Sequence, residues 1–242
     1  ASDAPDTPED RMRQVLHELR TPVNAIQGFA EIIQQQIFGP APNAYRALAA
    51  AIAVDAAKLL AAFEEVDRLT RLDSRALDLA EGDADMREVV VETVRRLEGV
   101  LRPRNAAIDC EVSGSPFTTA LAREELLNLT WRVLATLAGA LAPGERIAAR
   151  LVGDGALIWL ECQLPASIAA SGDPFASTPA ERSSVLTAGM FGSGFSLRLA
   201  RAEAQAAGGA FEIFDENLRL TLPGLTRDDA RHSTATGDGA AA

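Results

Sequence analysis

Apolar residues recur along the first third of the chain with the period of a packed helix. Over about residues 9–38 they are separated alternately by three and four positions: Leu16, Leu19, Val23, Ile26, Ala30, Ile33 and Ile37. This heptad spacing predicts a long helix that packs lengthwise against other helices. A turn-forming stretch at 39–43 ends it, and a second apolar stripe over about 44–72 predicts a second helix.

Two long helices joined by about five residues predict an antiparallel hairpin. Two helices alone bury little apolar area, and Phe29 and Ile32 widen the apolar stripe of the first helix. We therefore expect the hairpin to pair with a second copy in a dimeric four-helix bundle. This domain spans residues 9–74, after a flexible N-terminus at 1–8.

The pattern changes after a polar linker predicted at 75–85. Further helices are predicted over 86–101, 123–141 and 196–209, and strands over 106–112, 145–153, 156–164, 210–215 and 218–224. A loop over roughly 165–194 separates the strand at 156–164 from the third of these helices. Helices mixed with mainly antiparallel strands predict an α+β fold, in which residues 86–225 form an α/β sandwich with helices on one sheet face. The small, polar tail at 226–242 is predicted to be disordered.

Composition narrows the class of partner. The 242 residues include 23 Lys and Arg against 34 Asp and Glu, a net charge of −11, which argues against nucleic acid or an anionic membrane as the main partner. No window approaches the run of about 18 apolar residues that a membrane span needs, and no signal pattern opens the chain. We expect a cytoplasmic protein without direct membrane contact. A sensor or membrane region ahead of residue 1 in a longer protein stays open.

The two cysteines, Cys110 and Cys162, lack metal-ligand spacing and lie in strand-like runs. We interpret both as small buried apolar residues and predict no metal site from them. His232, one of the two histidines, lies among small polar residues of the tail and is assigned no role.

The other histidine, His17, lies at the edge of the first apolar stripe. At about 100° per residue it shares one exposed strip with Thr21, Asn24, Gly28 and Glu31. A neutral imidazole has a nitrogen lone pair that can act as a nucleophile. Glu18, the next residue, could accept the proton that the ring releases, and the Thr21 hydroxyl could hold a water. A lone histidine at a helix edge is nevertheless more often an ordinary polar residue.

Pro22 counts against the interpretation of His17 as an ordinary polar residue at a helix edge. A proline inside a helix lacks the N–H for the carbonyl four residues earlier and costs about 3 kcal/mol or more. A purely structural bundle has little use for a proline at this cost. A site that needs the helix to bend beside a reactive histidine has a use for it.

The string "HELRTP" at residues 17–22, followed by "FAEII", resembles the H-box of the sensor histidine kinases. The hairpin resembles their dimerisation and phosphoacceptor domain. The resemblance implies that His17 is phosphorylated, that Glu18 is its base in autophosphorylation, and that Thr21 positions water when a partner is dephosphorylated. It also implies a homodimer and, as partner, the receiver domain of a response regulator, docked on the strip below His17.

The second half is similar to the Bergerat-like, GHKL-type ATP-binding domain of the same family. Gly192 and Gly194 fall on its second glycine box, where backbone N–H groups approach phosphates at a helix start. "DPF" at 173–175 and "LTLPG" near residue 224 match further family features. The cofactors implied by this resemblance are ATP and magnesium.

Two other ATP-binding boxes depart from the family pattern. The asparagine that holds magnesium falls on Thr136, a weaker ligand, and Arg132 stands where the family has an earlier asparagine. After the strand at 156–164 nothing replaces the aspartate that reads the adenine amino group. Each lost hydrogen bond to a ligand costs around 1 kcal/mol, so several losses oppose useful ATP affinity.

Two functions therefore stay open, and both use His17. One is an ATP-dependent histidine kinase that passes phosphate from His17 to an aspartate of a response regulator. The other is a dimeric phosphotransfer or phosphatase adaptor that binds no ATP and keeps the sandwich for docking and folding. A plain dimerisation module would require "HELRTP" to be accidental.

Overall fold

A computed structural model describes residues 8–176 and 191–225. The chain divides into two compact units, one helical and one α/β, with the division between Leu77 and Asp78. Residues 1–7 of the predicted flexible N-terminus lie outside the described residues, and its last residue, Pro8, begins the first helix. The predicted disordered tail and His232 also lie outside them.

The helical unit is the predicted hairpin. Helix α1 spans Pro8–Gln35 and helix α2 spans Asn43–Asp73, and the two pack along each other. From α1 the hairpin interface takes side chains seven positions apart, which are at most 9% exposed: Leu16, Val23 and Ala30. From α2 it takes alanines, which let the helices approach closely: Ala49, Ala56 and Ala62.

The other half of the α1 seam faces away from α2. Leu19, Ile26 and Ile33, again seven apart, are 44%, 49% and 46% exposed. We call these three residues the outer stripe. On α2, Leu48 and Ile52 are also exposed. Each heptad of α1 thus buries one seam residue inside the hairpin and presents a second one to the outside.

Gly28→Ala is expected to stabilise the hairpin by about 0.5–1 kcal/mol, since a mid-helix glycine costs about that much relative to alanine. No atom lies within 4 Å of the position a Cβ would take at Gly28. Chemical denaturation followed by circular dichroism measures the gain. Gly209→Ala is the control of opposite sign, because its Cβ would lie 2.1 Å from the Thr221 carbonyl oxygen. An unchanged or lowered stability of Gly28→Ala would contradict the expectation.

The α/β unit contains four helices and seven strands among the described residues. The helices are α3 Met86–Leu101, α4 Arg123–Ala140, α5 Ala166–Ala169 and α6 Gly192–Ala206. The strands are β1 Glu81–Asp85, β2 Ala107–Gly114, β3 Thr118–Leu121, β4 Arg146–Gly153, β5 Leu157–Gln163, β6 Ala210–Phe214 and β7 Asn217–Pro223.

Five strands form one sheet in the order β2-β4-β5-β7-β6. Only the β2–β4 pair is parallel, so the expectation of mainly antiparallel strands is confirmed. Alternate strand residues such as Leu151, Leu160 and Leu220 join residues of α3, α4 and α6 in one buried core. The helices therefore cover one face of the sheet, and the other face stays open.

Three predicted boundaries need correction. The supposed linker at 75–85 contains β1, whose Ala84 and Asp85 pair with Thr119 and Thr118 of β3. The sequence "EGDAD" shows no apolar alternation. Since β3 was not predicted either, the sequence offered no strand for β1 to pair with. The long loop over 165–194 begins with α5, and α6 starts at Gly192 instead of residue 196.

A row of alternating charge crosses the open face of the five-stranded sheet. Neighbouring strands place Glu111 beside Arg150, Arg150 beside Glu161, Glu161 beside Arg219, and Arg219 beside Glu212. The Arg219 guanidinium lies 2.6 Å from the Glu161 carboxylate. Opposite charges on adjacent strands attract, so each neighbouring pair in this row stabilises the observed register of its two strands.

Both cysteines are free thiols inside this unit. Cys162 is buried, and burial raises the pKa of its thiol far above the ordinary value. The pKa of the Cys110 thiol is raised as well, first by partial burial and then by the charge of Glu111. Both thiols therefore stay protonated and behave as small apolar groups.

Candidate functional site

The imidazole of His17 is exposed on α1. Its neighbour Leu16 is 8% exposed and packs into the hairpin, which fixes the rotation of the helix and turns His17 outward. The helix runs on through Pro22 without ending. A nucleophile in this position is accessible from solvent, as transfer to or from a separate protein domain requires.

Glu18 and Thr21, the two predicted helpers, are both exposed as well. The carboxylate of Glu18 accepts a hydrogen bond of 3.1 Å from the side-chain amide of Gln14. Adjacent helix residues point about 100° apart, so Glu18 lies beside the ring instead of above it. Thr21 is one turn from His17 and lies on the same face. Their roles in proton transfer and in holding water stay predictions.

Below His17 the predicted docking strip is only partly open. Asn24 is exposed, whereas Gly28 and Glu31 are half-buried. The side-chain amide of Gln27 donates to the Glu31 carboxylate at 3.1 Å. The strip therefore combines small and polar groups, and docking on it stays a prediction.

Thr136, the predicted magnesium-site residue, is buried in α4 and only 2% exposed. Its hydroxyl donates a 2.6 Å hydrogen bond to the carbonyl of Arg132 in the preceding turn. The structure thus directs this side chain to its own helix backbone, which is how threonine commonly behaves inside helices.

Arg132 forms an ion pair that the sequence did not reveal. Its Nε lies 3.2 Å from Oε2 of Glu203 on α6, and the two side chains are 14% and 1% exposed. A signal for Glu203 was present, because it follows Leu199 and Ala200 on the buried stripe of α6. A glutamate on such a stripe requires a cationic partner.

The two predicted phosphate-binding glycines, Gly192 and Gly194, lie in the buried first turn of α6. Gly192 adopts φ +81°, a conformation that favours glycine. A Cβ on Gly194 would lie 1.9 Å from the Ala176 carbonyl oxygen, so the chain at Ala176 packs directly on this glycine. Gly194 is needed here for close packing of two backbone segments.

Comparison with known families decides the identity of the first unit. Residues 10–85 match the profile of the "His Kinase A (phospho-acceptor) domain" family. The chain carries the phospho-acceptor domain of the histidine kinases. This histidine-kinase domain is followed by an ATPase-like α/β domain, the order found in sensor histidine kinases.

Two curated relatives illustrate the match. Histidine protein kinase DivJ of Caulobacter vibrioides is 32% identical over 106 residues, which are 39% of this chain and 18% of the relative. Sensor histidine kinase TrcS of Mycobacterium tuberculosis is 39% identical over 88 residues, 35% of this chain and 17% of the relative. The matched segment thus spans less than a fifth of the length of each of these relatives.

Solved structures show the same fold. The structure of full-length ShkA in complex with AMPPNP superposes with a TM-score of 0.66 at 15% identity, covering 90% of this chain and 46% of that one. The Acinetobacter baumannii histidine kinase AdeS gives a TM-score of 0.51 at 15% identity, covering 87% and 98%. The predicted helical hairpin followed by an α/β sandwich is therefore confirmed as a histidine-kinase fold.

Within 8–176 and 191–225 no helix combines the length and apolarity needed to cross a membrane. The same residues include no group of three or more His, Cys, Asp or Glu side chains arranged to hold a metal ion.

Proposed function

We propose that His17 carries a phosphoryl group in a two-component system and exchanges it with an aspartate of a receiver domain. The observation that carries this proposal is the exposed imidazole within the region that matches the phospho-acceptor family. Both functions left open by the sequence share this step. They differ in the source of the phosphate.

The exchange is a single displacement at phosphorus. When an aspartyl phosphate is the donor, the lone pair of a neutral imidazole nitrogen attacks, a P–N bond forms, and the P–O bond to the aspartate breaks. The carboxylate is regenerated, and the proton on the other ring nitrogen leaves to the Glu18 carboxylate or to water. In the reverse direction the same atoms return phosphate to the aspartate.

Thr21 is assigned to the competing hydrolysis of a partner's phosphate. Its exposed hydroxyl, one turn from His17, can hydrogen-bond a water on the face where a receiver domain would dock. The water then attacks the aspartyl phosphate in place of the imidazole. This role uses Thr21 for positioning and leaves His17 free to transfer phosphate.

We further propose that the chain acts as a homodimer through its hairpin. The outer stripe of Leu19, Ile26 and Ile33 exposes apolar side chains on regular heptad spacing, and this spacing is typical of a surface that another helix covers. In a two-fold dimer the same surface of both protomers forms the interface, so each residue of the outer stripe is buried in both copies. A second hairpin of this chain therefore provides the matching apolar surface.

Ile26→Asp is expected to weaken the dimer by about 100-fold or more. Burial of one isoleucine contributes about 1.5–3 kcal/mol, and the substitution occurs in both protomers. Sedimentation velocity over a range of concentrations measures the dissociation constant. Val54→Asp is a matched control, since Val54 is 54% exposed and lies on the opposite side of α2 from Leu48 and Ile52. Equal weakening by both variants would count against the outer stripe as the interface.

The direct test of the proposed function uses a small phosphodonor. Phosphoramidate transfers its phosphoryl group to histidine with release of ammonia, so it needs neither ATP nor a partner protein. The full chain is treated with ³²P-phosphoramidate, freed of reagent, and mixed with purified receiver domains. We expect an acid-labile, base-stable label on the chain that moves to a receiver. Absence of the label, or a label that no receiver accepts, would refute the proposal.

A further inference from the structure

The helices α4 and α6 meet where the resemblance to histidine kinases locates a site for magnesium and ATP. The residues present there do not fit a magnesium–ATP complex. This inference rests on the proposed role of His17 and concerns where its phosphate comes from. Four features of the α/β unit bear on it: an ion pair, a threonine, a packed glycine and the segment after β5.

The ion pair places a cation where a metal ion would have to be held. Arg132 occupies an N-box position, and its guanidinium pairs with Glu203 at 3.2 Å. Glu203 is the single buried carboxylate found on α6 within the described residues, and it is bound to this guanidinium. A second cation beside the guanidinium is repelled, and the carboxylate that could compensate its charge is already engaged.

Thr136 offers magnesium no usable ligand. Mg²⁺ requires oxygen ligands in near-ideal octahedral geometry and usually keeps several of its waters. Thr136 is 2% exposed, and its hydroxyl is hydrogen-bonded to the Arg132 carbonyl. A hydrated ion cannot reach it without opening the helix packing around it.

The glycine box is covered by the chain's own backbone. Ala176 packs on Gly194 so closely that no Cβ fits between them. Phe175 holds this segment in place, because the Arg201 guanidinium lies 3.6 Å from the centre of its ring and Phe211 contacts the ring edge-on. A phosphate group that approached Gly194 from this side would have to displace Ala176.

The region after β5 also lacks an adenine-reading group. Residues 164–172 contain no acidic side chain. They include α5, which is fixed at its start by a 2.8 Å hydrogen bond from the Ala166 amide to Glu145 and by a 2.8 Å hydrogen bond from the Ser167 hydroxyl to the Ala140 carbonyl. This segment serves as a brace for the end of α4.

We propose that the α4–α6 layer is a closed structural interface, and that His17 receives its phosphoryl group from the aspartyl phosphate of a receiver domain, not from ATP held by its own chain. In that step the acyl P–O bond breaks, the P–N bond forms on the imidazole, and the aspartate regains its carboxylate. No metal ion held by this chain is involved.

The test supplies phosphate to the full chain from two donors. One arm adds γ-³²P-ATP with Mg²⁺ or Mn²⁺, and the other adds receiver domains charged with ³²P-acetyl phosphate and freed of it. His17→Gln sets the background in both arms. We expect label on His17 from a charged receiver, and no label above background from ATP.

A second measurement needs no transfer of phosphate. A ligand that binds only the folded state raises the thermal unfolding temperature, so millimolar Mg-ATP is expected to leave the unfolding temperature of the chain unchanged. Metal-dependent label from ATP, or an increase of the unfolding temperature with Mg-ATP, would overturn this inference and leave the proposed function of His17 intact. Failure of every charged receiver to label a chain that accepts phosphoramidate would also overturn it.

Discussion

His17→Gln is expected to lose all of the acid-labile phosphoryl label that the wild-type chain acquires from phosphoramidate or from a charged receiver. The amide of glutamine has no nucleophilic lone pair comparable with that of imidazole, so no P–N bond forms. Glutamine is a good helix former and His17 is exposed, so α1 and its dimer should keep their stability. Phosphorimaging after neutral electrophoresis measures the label.

His232→Gln is the matched control, because the chain contains only two histidines. It removes the same functional group and is expected to keep the full label. Circular dichroism and sedimentation of both variants verify that fold and dimer are intact. Label that persists in His17→Gln but disappears in His232→Gln would move the phosphorylation site to the tail and contradict the assignment.

Arg132→Leu is expected to destabilise the α/β unit by about 3 kcal/mol. The substitution leaves the 1% exposed carboxylate of Glu203 without its guanidinium, and removal of one partner of a buried ion pair costs about 3–5 kcal/mol. The 14% exposure of Arg132 puts our value at the lower end of that range. Urea denaturation followed by tryptophan fluorescence measures the change, because Trp131 and Trp159 both belong to this unit.

Two further variants distinguish the loss of the ion pair from a general effect of removing an arginine on stability. Arg146→Leu removes a guanidinium from an exposed pair with Asp109, whose side chains are 59% and 57% exposed, and should cost less than about 1 kcal/mol. Arg132→Leu combined with Glu203→Leu removes both charges and should recover most of the lost stability. A double variant as unstable as the sum of its single changes would show that the pair is not the cause.

Local sequence patterns predicted the elements whose apolar residues repeat clearly. The heptad over α1 and the alternation in β4 and β5 gave these elements nearly their observed bounds. The same patterns could not indicate β1, because "EGDAD" has one buried residue, Ala84, and its partner β3 lies over thirty positions away. Such a strand exists through its pairing, which a local pattern does not contain.

In the candidate site, too, local arrangements could be predicted and contacts between distant elements could not. His17, Thr21 and Asn24 lie within a single helix, so their common exposed face could be predicted from spacing alone. The Arg132–Glu203 pair joins two residues on different helices that are 71 positions apart in sequence. Its existence depends on how α4 and α6 pack, and only the buried stripe of α6 hinted that Glu203 needs a partner.

The charged row on the open sheet face has a consequence for solubility. Its two end members, Glu111 on β2 and Glu212 on β6, belong to the two edge strands. Whenever two sheets approach side by side in this register, glutamate meets glutamate, and like charges on neighbouring strands repel. An odd number of alternating charges, beginning and ending with the same sign, thereby discourages the sheets of separate molecules from joining into a continuous fibre.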